Sequence, residues 1–291
     1  MKFLKEIFPM DHDHMINLDP QHAAALAKAC GSRMEHDVSY FSLYMGEPVS
    51  IDDQWLGYLN KQYLNVFSWS LTDGSGVSQQ AVHASIGLAR SRNLEWIEFW
   101  GAAADIPDDL QGITISPWQD SPENREVQLD LRTLDWQGSK RQQEIRKGLR
   151  DGIQIRPYTA QKFRPEHTAL VDKFLRQHSV DDIGYVLCAE KYLGCENALT
   201  IEAIDSMDRV IGLAIASCFF DETLTMLHLF HDGTPCVSTM MYNYMIQYCT
   251  AHGIETLGLG YSLNEGLLAY KKNLGASIFF PPNAGVKLML S

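Results

Sequence analysis

The segment His231-Asp232-Gly233-Thr234-Pro235-Cys236-Val237-Ser238-Thr239 sets an imidazole, a thiol and three hydroxyls just ahead of and inside an apolar helical pattern. His231 is a candidate general base because an unperturbed imidazole titrates near neutral pH, although a solvated loop histidine explains it equally well. His228 lies three residues earlier, so on a regular strand the two rings face opposite sides. Cys236 falls at a helix amino end, which lowers a thiol pKa, and a Cys–His nucleophile pair with His231 is a further arrangement to weigh. The same amino end favours a phosphate over Cys236, Val237, Ser238 and Thr239, with plain capping by Ser238 or Thr239 as the alternative. The segment contains no Lys or Arg, so a phosphate there would rest on backbone N–H groups. A second helical pattern holds Tyr270, Lys271 and Lys272. Taken alone, these read as a core aromatic and two helix lysines. A third holds Arg141, Arg146, Lys147 and Arg150. Arg146 and Arg150 are four apart and share a face suited to an anionic substrate, but charged runs are commonly solvated, and Glu144 can pair within the helix. Asp11-His12-Asp13-His14 resembles a metal tract only in composition, and no metal is expected.

The elements that must position these groups are clearest in the second half. Residues 152–157 alternate as a strand, and 164–178 repeat apolar residues at helical spacing. A short helix follows at 188–193. Three strands come next, at 198–204, 210–220 and 224–230. The helix 237–251 places Val237, Met240, Met241, Tyr244, Met245 and Tyr248 at the i, i+3, i+4, i+7 positions and stops at Gly253. A strand at 254–259, a helix at 264–273 and a last strand at 277–280 complete the order β-α-α-β-β-β-α-β-α-β. The first half repeats part of it. A strand at 64–71, a turn at 73–76, a helix at 77–92 and a strand at 94–100 match the later order at an offset of 160, with Val77 over Val237 and Ser78 over Ser238. Two similar lobes follow from this. We expect an α/β chain with a mixed sheet in each lobe. The first spans 1–122. The second spans 123–291, with a polar linker at 120–125 and the basic helix 138–150 at the junction, beside a substrate cleft.

This order is similar to that of the GCN5-related N-acetyltransferase fold, and the tandem arrangement resembles the Fem family of aminoacyl and peptidyl transferases. Two segments carry the resemblance. Ser139 to Ile153 reads as a basic helix with Ile145-Arg146-Lys147 and then Gly152-Ile153 entering a strand. Gly266-Leu267-Leu268-Ala269-Tyr270-Lys271-Lys272-Asn273-Leu274-Gly275-Ala276 resembles the Fem-like ending, with Tyr270 and Leu274 in the phenylalanine positions. The first lobe matches only in element order and is expected to be degenerate. The resemblance implies a central strand pair that splays, exposing N–H groups near 229–231 to a donor carbonyl. It also implies that Lys271 stabilises negative charge on the tetrahedral intermediate or donor phosphate, and that Tyr270 packs on the donor. One departure stands out: the usual glycine-rich loop before the central helix is replaced by one glycine and Pro235, which lacks an N–H. Fem-like members also lack that loop.

Composition bounds the reading. Of 291 residues, 45% are hydrophobic and 21% charged, which excludes a disordered chain. No apolar run approaches the roughly 20 residues of a membrane span. The net charge of −12 argues against extensive contact with RNA. The six cysteines form no Cys-x-x-Cys pair, as expected of a cytoplasmic protein. The expected function is transfer of an acyl or aminoacyl group to an amine of a small molecule or peptide by direct attack. The donor is acyl-CoA or another acyl thioester, on coenzyme A or an acyl carrier protein, or else aminoacyl-tRNA. Acidity favours the thioester, and the loop favours tRNA. A catalytically inactive ligand-binding or scaffold protein is the alternative.

Overall fold

The computed structural model describes residues 37–290 apart from 52–53, 68–75, 102–104, 108–109, 137, 178–182, 194, 196, 221–222 and 263; Asp11–His14, Glu222 and part of the first turn lie outside the described residues. The chain divides into two compact units, each with a mixed sheet.

Of the described residues, the first unit comprises those of 45–116 and 286–290. Its strands are β1 (Glu47–Ile51), β2 (Trp55–Leu59), β3 (Tyr63–Phe67), β4 (Trp96–Trp100), β5 (Ile113–Gln119) and the chain's last strand, Ala284–Leu290. They lie in the order β1-β2-β3-β4-last-β5. Helix α2 (Gln79–Ser91) joins the parallel pair β3 and β4 and buries Ala81, Val82, Ser85, Ile86 and Ala89. Its start is fixed locally, since Ser78 Oγ accepts from Ala81 N–H at 3.2 Å. β3 and β4 stay paired through five successive residues, from Tyr63–Trp96 to Phe67–Trp100. This parallel pair therefore shows no splay over its described length.

Of the described residues, the second unit holds those of 37–44 and 117–285. Segments thus cross the expected division at 122/123: α1 (Val38–Met45) belongs largely with the later residues, and most of the last strand belongs with the earlier ones. The physical reason is that the first sheet draws the chain's last strand from beyond the linker and the second unit draws helix α1 from before it, and a linear reading does not foresee that exchange. Here β6 (Glu126–Asp130), α3 (Ser139–Arg150), β7 (Gln154–Pro157), α4 (Pro165–Gln177), α5 (Ile183–Leu187), α6 (Ala189–Tyr192), β8 (Ala198–Ile204), β9 (Val210–Phe220), β10 (Thr223–His231), α7 (Val237–His252), β11 (Thr256–Tyr261), α8 (Glu265–Leu274) and β12 (Ile278–Phe279) follow in turn, before the last strand, β13. The sheet order is β12-β6-β11-β10-β9-β8-β7. In this sheet β10 and β11 are parallel and joined by α7, and the other described neighbours pair antiparallel.

On one sheet face Leu224, Met226, Leu257 and Leu259 pack with Met240, Met241, Met245 and Cys249 of α7, Ile145 of α3, and Leu268 and Leu274 of α8. Burying such side chains contributes roughly 1.5–3 kcal/mol each. α3 can approach α7 closely because Gly148 has no side chain; a Cβ there would sit 2.9 Å from Met240 Cγ. At the sheet's other end, Glu202 is buried in β8 and bound by Arg156, Arg164 and His167, an ion cluster that ties β7 and α4 to β8.

Candidate functional site

The parallel ladder between β10 and β11 registers only Thr223–Thr256, Leu224–Leu257 and Thr225–Gly258. Beyond it β10 continues against β9 as far as His231–Gly212, and β11 continues against β6 as far as Tyr261–Glu126. Each strand is irregular where the ladder stops, β10 between Met226 and His228 and β11 between Gly258 and Tyr261. Extra residues of this kind bend a strand and raise its twist, which ends the pairing. The sequence placed β11 at 254–259; the strand starts and ends two residues later because its two glycines do not break it.

That shift puts Gly260 and Tyr261 at the strand end, and Lys271 reaches both. Its Nζ donates to Gly260 O at 2.9 Å and to Tyr261 O at 2.6 Å. Successive carbonyls in a regular strand point opposite ways. Gly260 adopts φ +67°, a break from regular strand geometry that glycine takes without steric cost, and its carbonyl and the next both face the lysine. Lys271 is 3% exposed, so it is no solvated helix lysine. Burial lowers its pKa to about 7, and the negative charge of Glu126 works against that. Glu126 is itself buried in β6, with Oε1 accepting from Gln128 Nε2 at 3.0 Å. Lys272 points elsewhere, its ammonium 5.8 Å from the centre of the Phe279 ring.

The start of α7 gathers most of the other expected donor-binding residues. Cys236 caps the helix with φ 71° and makes no side-chain capping bond, while Val237 is fully buried in the core. Thr239 Oγ1 donates to Glu144 Oε2 of α3 at 2.6 Å. Tyr270 reaches the same turn from α8. Burial pushes its phenol up to about 12, against the pull of hydrogen bonds with Ser238 and Thr239 and with Glu144 adding negative charge nearby. A carboxylate therefore sits on the helix amino end where the sequence suggested a phosphate. Glu144 was legible only as a pairing partner within its own helix.

The basic helix serves several purposes. Arg141 donates to Asp135 O at 3.1 Å and to Asn273 O, holding the end of α8. Lys147 pairs with Asp151 at 2.6 Å and lies within electrostatic reach of Cys236. Arg146 and Arg150 are exposed.

His231 remains in its own loop. Its Nδ1 accepts from Gly233 N–H at 3.1 Å, which puts the neutral ring's proton on Nε2 and leaves that nitrogen no lone pair for a base. Lys173 of α4 donates to Asp232 O, giving this loop a cation that its own sequence lacks. His228 faces the other way, as the alternation required. It stacks on Phe230, its Nε2 lies 2.5 Å from the Tyr40 hydroxyl of α1, and burial pushes its pKa down to about 3. Among the described residues no group of side chains suits a metal ion, and no helix is long and apolar enough to cross a membrane.

No protein-family model matches the sequence, and no curated protein matches it significantly. Solved structures do. L-PGS from Bacillus licheniformis superposes with a TM-score of 0.60 at 12% identity, over 94% of this chain and 92% of that one. FemX gives 0.59 at 10%, over 93% and 96%. The C-terminal domain of a putative lysylphosphatidylglycerol synthetase from Agrobacterium fabrum gives 0.57 at 12%, over 92% of each. Likeness at such identities is one of fold. The chain has the GCN5-related N-acetyltransferase fold, in the tandem, Fem-like arrangement and with a degenerate first lobe.

Proposed function

We propose that the protein is an acyltransferase that moves an acyl or aminoacyl group from an activated donor directly to an amine. The observation that carries this reading is Lys271, a buried ammonium fixed by two backbone carbonyls at the end of β11. The acceptor nitrogen attacks the donor carbonyl carbon. The new C–N bond forms as the bond to the ester oxygen or thioester sulfur breaks, and the amine proton ends on the leaving alcohol or thiol. Negative charge gathers on the carbonyl oxygen in between. A preorganised cation in a water-poor site stabilises that charge without reorganising. His231 has no part in this proposal, because its acceptor nitrogen is already bonded to Gly233.

The donor's phosphates fall to the exposed Arg146 and Arg150 rather than to the first turn of α7, where Glu144 would repel them. An aminoacyl donor is further supported by the likeness to FemX and to the C-terminal domain of a putative lysylphosphatidylglycerol synthetase. The test is transfer from aminoacyl-tRNA and from acyl-CoA to amines of a cell extract, read by mass spectrometry. Lys271→Met should lower turnover by about 10²–10³, by analogy with loss of an oxyanion donor, while Lys272→Met should change little. Equal activity of the two variants overturns the reading.

A further inference from the structure

The end of β11 holds two hydrogen-bond donors that no described residue engages. Lys271 as an ammonium has three N–H groups. Gly260 and Tyr261 take two, and the third has no partner among the described residues. Ser262, the next residue along, is 0% exposed, and its hydroxyl has no partner among the described residues either. A buried polar group left without a partner is costly, so native proteins rarely keep one without a use. Ser262 cannot relocate to find one. Its N–H is held by Arg125 O at 3.0 Å, and its carbonyl accepts from Asn264 N–H at 2.7 Å.

One peptide unit separates Ser262 from the carbonyl that Lys271 grips. Bond geometry therefore keeps Oγ within about 8 Å of Nζ, in the same neighbourhood of the strand end. The β10–β11 ladder has already stopped at Gly258, so no strand pairing fills that side of the strand end. The surrounding charge defines the ligand. Glu126 is the acidic group acting on Lys271 from β6, and its carboxylate is bonded by Gln128. It favours the charged lysine. Two donors, one of them cationic, call for an oxygen that carries negative charge.

We propose that the Ser262 hydroxyl and the third N–H of Lys271 together bind one oxyanion, making Ser262 a second catalytic residue beside Lys271. This rests on the role assigned to Lys271 in acyl transfer. The pairing also explains why the site tolerates an orphan hydroxyl in the resting protein: its partner exists only while the carbonyl oxygen is charged.

The experiment uses the full chain and acetate, a small planar oxyanion, as probe. Acetate should raise the melting temperature of the native protein, and both Ser262→Ala and Lys271→Met should lose that response. Without acetate, Ser262→Ala should melt at or above the native temperature, because it removes an unsatisfied group. In the transfer assay it should lower kcat by about 10²-fold with little change in KM. An equal acetate response in native protein and Ser262→Ala overturns the proposal, as does a native protein that ignores acetate. A Ser262→Ala that melts lower without acetate also overturns it, since the hydroxyl then has an internal partner. If Lys271→Met abolishes transfer and Ser262→Ala leaves kcat intact, Ser262 is excluded while the transferase reading stands. A Ser262-dependent acetate response in a protein that transfers no acyl group supports the oxyanion pocket and removes the transferase reading.

Discussion

Lys271 carries its charge where charge is costly, and the cost has a sign that can be measured. Its folded pKa is lowered from an ordinary 10.5 to about 7. Between those values the unfolded chain binds more protons than the folded one, so this group's contribution to stability rises with pH across the window and is least favourable below about pH 7. Activity should run the other way, falling as pH rises through about 7 and the ammonium is lost. Urea unfolding at several pH values should show the slope in native protein and its absence in Lys271→Met. A kcat/KM profile should show the falling limb, and Lys271→Arg, if it retains activity, should lack it because a guanidinium stays charged. Cys236 offers a separate test. A non-glycine residue at φ 71° holds roughly 1–2 kcal/mol of local strain, so Cys236→Gly should gain about 1 kcal/mol in chemical denaturation.

The strand end depends on Gly260, whose positive φ takes the chain out of regular strand geometry beside the two carbonyls that hold Lys271. Gly260→Ala imposes a side chain at φ +67° and places Cβ 3.3 Å from Met226 O. It should cost about 1 kcal/mol of stability and a larger share of activity, checked by comparing its melting temperature with its turnover. Gly148→Val should separate α3 from α7 and lower the melting temperature more than Gly148→Ala, since Met240 can give way to a methyl group but not to two further carbons. Much of this layer was legible in the sequence. The strand 198–204 announces itself by alternation, 210–220 by its long apolar run and the helix read at 237–251 by its period, and β10 and β11 lie parallel as their connection implied. The rest was hidden for physical reasons. α1 reads VSYFSLYM, apolar on most sides, so neither helical nor strand spacing shows. β1 contains Pro48, and β5 is mostly exposed and contains Pro117, which removes the usual strand signal. Lys271 stood out through its motif, but Gly260 and Tyr261 act through backbone carbonyls, and Ser262 and Glu126 through distant neighbours. Types and spacing reveal none of these.

In the whole molecule, the exchange of segments between the two units matters most. Val286, Leu288 and Leu290 of β13 belong to the first unit's core, with Leu288 fully buried, whereas the second unit ends at Gly285. Truncation after Gly285 should weaken the first unit and leave the second folded. Hydrogen exchange should then show lost protection in β3, β4 and α2 and retained protection in β9, β10 and α7. The acidic balance of −12 places no uniform field of positive charge around the molecule, so donor affinity should depend on the local pair Arg146 and Arg150. Replacing both with Gln should weaken donor binding and flatten its salt dependence, measured as the dissociation constant at two ionic strengths. The placement of β13 also fixes an order of events during synthesis. On the ribosome, β1 to β5 emerge long before the strand between β4 and β5 exists, so the first sheet must wait with an unfilled slot between two edges. Chains stalled before residue 284 should therefore present that slot to chaperones, although the half of the protein that bears Lys271 has by then been almost wholly made.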